Sequence, residues 1–134
     1  MWFRLIREVL AMKYAIKSMT KYLGEDDQIK IYDNADDAVQ AAKDFAETIC
    51  FLLSVHNDKP YGLVTQMIPF DYNKDLQVPD IIINELRCDG SVYTSVDHVE
   101  VVDGERAIKK LQENEALRQN FNEKLEQLSK LIKV

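Results

Sequence analysis

Apolar and polar positions change rhythm several times along this chain, and each change marks an element. From Tyr14 to Met19 they alternate, with Tyr14, Ile16 and Ser18 on one side and Ala15, Lys17 and Met19 on the other. A period of two predicts a strand, buried on the Tyr14 and Ile16 side. Lys21-Tyr22-Leu23 then leads into the polar run Gly24–Asp27, and Ile29–Tyr32 can form a second short strand that pairs back as a hairpin. Beyond Asn34 the period lengthens. Ala35, Ala38, Val39, Ala42, Phe45, Ala46, Ile49, Leu52 and Leu53 recur every three or four residues, the spacing of an amphipathic helix. Asn34 can accept a free first-turn N–H, and Asp36 and Asp37 put negative charge at the positive end of the helix dipole. Alanines in the first half let a sheet approach closely. The second half, Ile49 to Leu53, is apolar on more sides than one cover explains, so it calls for a second contact: the N-terminal segment, the C-terminal helix or another chain.

The segment His56–Pro60 ends this helix. Tyr61–Ile68 alternates with apolar residues on both faces, which predicts a strand covered on both sides, and Pro69 ends it. Phe70–Asp75 is a polar loop with two aromatics, either a connector that packs one ring or a recognition loop. Val78-Pro79 opens the next strand, and the β-branched run Ile81–Ile83 places it centrally. Asp89-Gly90 is the best turn signal in the chain and predicts a type I′ hairpin into Ser91–Val96, continuing to Val102 with a bulge or break at Asp97-His98. Asp103 or Gly104 can cap a last helical part, which Asn114 can restart. Its stripe of Ala107, Ile108, Leu111, Leu117, Phe121, Leu125, Leu128, Leu131 and Ile132 is narrow and flanked by charge. Such a seam suits packing on the sheet or pairing with a second helix.

Taken together, the elements predict an α+β fold: a mainly antiparallel sheet of about four or five strands, covered on one face by a central helix and a C-terminal helix. The length of 134 residues suits one core. The expected division is a single domain over 12–134, preceded by 1–11 as an amphipathic segment or an extension. Trp2, Leu5, Ile6, Val9 and Leu10 share a helical face there, but Arg4, Arg7 and Glu8 interrupt any signal-peptide core. No apolar run is long enough to span a membrane.

Composition narrows the function classes. Apolar residues make up 46% and charged residues 30%, which opposes wholesale disorder. A net charge of −6 opposes direct binding to nucleic-acid phosphates. Cys50 and Cys88 match no metal spacing and are expected as reduced thiols, which favours a cytoplasmic protein. Glu25-Asp26-Asp27 lacks the alternating ligands of a Ca²⁺ loop and reads as a solvated turn. His56 has no second ligand in sequence and suits a helix C-terminus, and both His56 and His98 lie near a carboxylate, Asp58 and Asp97, which leaves a spatial dyad open. No phosphate-binding loop, nucleophile elbow or zinc signature occurs, so no catalytic, cofactor or metal residue is predicted. The expected function is a small acidic protein-binding or accessory module, able to self-associate, with Trp2, Phe3, Ile6, Phe51, Leu125 and Leu128 as apolar contacts. One alternative is an acidic inhibitor or immunity-type protein that presents Glu25, Asp26, Asp27, Asp36 and Asp37 to a basic partner. Another is a small-molecule-binding protein or enzyme with a pocket between sheet and helix.

Overall fold

A computed structural model describes residues 12–19, 21–24, 28–70 and 73–132. The expected roles of Trp2, Phe3, Ile6, Glu25, Asp26 and Asp27 lie outside the described residues, as does the 1–11 segment. The chain runs β1 (Tyr14–Ser18), β2 (Lys21–Tyr22), α1 (Ala35–Asn57), β3 (Tyr61–Phe70), β4 (Asn73–Leu86), β5 (Val92–Asp103) and α2 (Gly104–Ile132). The strands form one sheet of five in the order β2-β1-β5-β4-β3, and every neighbouring pair is antiparallel. This is the expected α+β architecture, with both helices packed on the sheet.

The core lies between α1 and one face of the sheet. Ala38, Ala42 and Ala46 are fully buried against Tyr14, Ile16, Ile81, Ile83, Val99 and Val101. Small side chains on that stripe let the helix axis approach the strands, while Phe45, Ile49 and Leu53 flank the contact. The helix starts as predicted: the Asn34 side chain accepts the Asp36 N–H at 2.7 Å. It stops at Asp58, whose φ of 50° breaks the helical path.

The β3–β4 hairpin is longer than the sequence pattern suggests. Pro69 stays within the pairing opposite Gln77, and Pro79 lies inside β4 opposite Met67. Leu86 N–H points to the β3 side, where it donates to the Pro60 carbonyl at 2.9 Å. By alternation the missing N–H of Pro79 points towards β5, and the β4–β5 ladder ends one residue earlier, at Asp80↔Glu100. The β4–β5 pairing thus ends where Pro79 has no N–H to give. Phe70 is a buried strand residue with its ring 5.3 Å from that of Tyr14, so the segment packs a ring into the core. β3 itself is the sheet edge. Val64, Thr65, Gln66 and Met67 are exposed, which corrects the expectation of cover on both sides.

Two other local expectations are revised. The run Ile29–Tyr32 does not form the second strand. Lys21–Tyr22 pairs with β1 instead, and Tyr32 makes an isolated bridge to Tyr14, each N–H donating to the other's carbonyl at 2.8 Å. The Asp89-Gly90 hairpin is present but not as type I′, which needs positive φ at both central positions. Here Gly90 N–H donates to the Arg87 carbonyl at 2.9 Å, and only Gly90 has positive φ, at 87°. Asp89 keeps a negative φ and accepts from Ser91 N–H and Oγ–H at 2.9 and 2.6 Å. Those bonds hold its carboxyl below the usual carboxylate range.

The start of α2 closes the opposite side of β1. Ala15 is 0% exposed, its cross-strand partner is Val102, and Val102 lines one concavity with Ala107 at the foot of α2. Asp103 caps this helix, accepting Glu105 N–H at 3.0 Å. Gly104 fits because a Cβ there would meet Ile31 Cδ1 at 3.0 Å and Lys13 Cβ at 3.1 Å. The helix then runs unbroken through Asn114.

Candidate functional site

Two regions lie outside the core. The first is the outer part of α2. Ala107 is buried and Leu111 half-buried, but every residue from Gln112 to Ile132 is exposed. That stretch rises about 30 Å. Its apolar residues are not scattered. Leu117 (67% exposed), Phe121 (63%), Leu125, Leu128, Leu131 and Ile132 recur every three or four positions, which puts them on one side of the helix. Phe121, Leu125, Leu128 and Ile132 follow the four-three-four rhythm of a coiled-coil seam, flanked by Glu123, Lys124, Glu126 and Lys130. A smaller apolar patch lies on the second half of α1, where Phe51 is 66% exposed beside exposed Leu52 and Val55. Ile49, Cys50 and Leu53 turn inwards to the core, and their burial pushes the Cys50 thiol pKa up. Phe51 and the pair Leu125 and Leu128 thus sit on different helices, each facing solvent, rather than against each other.

The second region is a cluster on the sheet. Asp80 and Glu100 are directly opposite on β4 and β5, and His98 lies two residues before Glu100, on the same face. His98 Nε2 makes a short contact with Asp80 Oδ1 and lies 3.5 Å from Glu100 Oε2. All three side chains are partly exposed. The sequence neighbour Asp97 does not join them. Its carboxylate accepts Ser18 Oγ–H at 2.8 Å and the His98 backbone N–H at 2.7 Å. Alternation along β5 could have paired His98 with Glu100, but Asp80 enters only through the β4–β5 register. That register skips a residue just before this point: Ile83 pairs with Asp97 and Asn84 with Ser95. The irregularity falls at Val96, beside the Asp97-His98 position where the sequence suggests a bulge.

The remaining predicted residues do not converge. Asp36 and Asp37 are exposed in the first turn of α1. His56 lies in the last turn of α1, away from the cluster on the sheet. Cys50 and Cys88 are free thiols, Cys88 in the exposed β4–β5 turn. A concavity of about 180 Å³ at the foot of α2 is lined by Lys17, Tyr22, Glu100, Arg106 and Lys110 among others. Among the described residues, no helix is long and apolar enough to cross a membrane. Compared with known proteins, the chain matches no family model, no curated protein and no solved structure.

Proposed function

We propose that this chain is a protein-binding module that self-associates through α2. One observation carries the reading: a helical stretch about 30 Å long leaves the sheet with an apolar stripe that stays exposed and that, among the described residues, no other element covers. A helix in water draws most of its stability from packing an apolar face, and propensity alone leaves it marginal. Burying a large aliphatic or aromatic side chain contributes about 1.5–3 kcal/mol, so leaving Phe121, Leu125 and Leu128 in water is costly. Heptad rhythm favours another helix as the cover, and a second copy supplies the same seam in isologous form. The test is molar mass in solution by light scattering. The wild-type chain is expected at twice its monomer mass, and the double variant Leu125→Asp, Leu128→Asp at the monomer mass with unchanged circular dichroism from the sheet. A wild-type monomer at micromolar concentration would end the proposal.

A further inference from the structure

We propose that Asp80, His98 and Glu100 bind a divalent transition-metal cation of the zinc class. The proposal is independent of self-association, because all three residues belong to one chain. The carboxylate oxygens of Asp80 and Glu100 and one ring nitrogen of His98 all lie within 4.8 Å of one another. A tetrahedral ion with bonds near 2.1 Å holds its ligand atoms about 3.4 Å apart. His98 Nε2 and Glu100 Oε2 are already 3.5 Å apart. His98 and Asp80 stand closer than that, so seating an ion opens this contact by rotation of the side chains.

Charge points the same way. Like charges directly opposite on neighbouring strands destabilise a sheet, and Asp80 and Glu100 are such a pair. Lys17 stands across from Glu100 on β1, yet among the described residues the side chain that meets both carboxylates is the His98 imidazole. A dication would neutralise both carboxylates at once. The donor set selects among cations. Ca²⁺ and Mg²⁺ prefer six or more oxygen ligands, whereas one imidazole with two carboxylates suits Zn²⁺ and its neighbours. Three protein ligands leave the fourth tetrahedral position to water or to a group from outside.

The scaffold is firm where the ligands attach. His98 N–H donates to Asp97 and its carbonyl accepts Met19 N–H at 3.1 Å. Ile81 and Val99, which adjoin Asp80 and His98 in sequence, are buried on the other side of the sheet. Ligands held on paired strands keep their spacing without help from the ion.

Titration calorimetry of the full chain tests this, in a Cys88→Ser background so that an exposed thiol does not compete. ZnCl₂ is expected to bind at one site per chain, and CaCl₂ to give no heat. His98→Ala should weaken zinc binding by at least about tenfold, since loss of even an outer-shell partner costs about that much. Glu100→Gln should show a crossover in melting temperature: above the parent without metal, because a like-charge contact is gone, and below it with saturating zinc. The proposal is overturned if zinc does not bind, or if affinity survives His98→Ala unchanged. The cluster would then be a histidine held between two carboxylates and nothing more.

Discussion

The two long helices of this molecule begin alike and end differently. Each is capped by a side-chain oxygen, that of Asn34 in α1 and of Asp103 in α2, and each carries acidic charge in its first turn. Each also repeats apolar residues every three or four positions. Yet α1 lies along the sheet, whereas α2 leaves it after Leu111. The side chains on the stripes account for the difference. Ala38, Ala42 and Ala46 let the α1 backbone come down onto flat strands of Ile and Val, and the bulkier Phe45, Ile49 and Leu53 close the sides. The outer stripe of α2 is built from Leu, Phe and Ile, and the small residues Gly104 and Ala107 are buried at its foot. Bulky knobs suit the holes of another helix better than the surface of a sheet. Amphipathicity thus says that a face needs a cover; side-chain size says what kind.

The largest difference between the helices is expected in the core. Ile83→Ala, beneath α1, should cost about 2–5 kcal/mol, because a fully buried isoleucine leaves a cavity. Phe121→Ala, of greater volume change but on the outer part of α2, should cost the isolated monomer about 0.5 kcal/mol or less. Denaturant titration at low protein concentration measures both. Equal losses would mean that α2 is covered within the single chain.

The caps give a smaller effect. Asn34→Ala and Asp103→Ala should each cost about 1 kcal/mol of helix stability. Their readouts should differ: the first lowers the melting temperature of the domain, since α1 is core. The second loosens α2, which hydrogen exchange of residues 105–115 would report while the sheet amides stay protected. A global loss from Asp103→Ala would show α2 to be as integral to the core as α1.

The smallest effect concerns pH. Burial, and secondarily the charge of Asp103, raises the Tyr14 pKa above its ordinary 10.0. The folded chain holds this proton more tightly than the unfolded one. The associated stability is therefore complete below about pH 10 and is lost as pH climbs through the raised value. Tyr14→Phe should flatten the alkaline limb of stability against pH and leave the neutral region alone. An unchanged limb would place that titration elsewhere.

The local elements were legible from near neighbours along the chain. Asn34 announced α1, the period of three and four traced its buried stripe, Ile81–Ile83 marked an inner strand, and Asp89-Gly90 a hairpin. These are short-range choices of capping, steric preference and periodicity, which a chain makes largely with its near neighbours. Even there the turn type escaped, because the Asp89 carboxylate bonds to Ser91 and Asp89 keeps a negative φ. Contacts between residues far apart along the chain follow from the assembled sheet. β1 joins β5 in register from Tyr14↔Asp103 to Ser18↔Val99, which makes β5 central and β3 an edge. The β4–β5 register carries Asp80 to His98 and Glu100, while His98's neighbour in sequence, Asp97, bonds to Ser18 instead. The departure of α2 was likewise invisible, since the same stripe could face a sheet or a helix. Periodicity states which side of an element is apolar; only the competition among distant surfaces for burial selects the partner and leaves the seam of α2 in water.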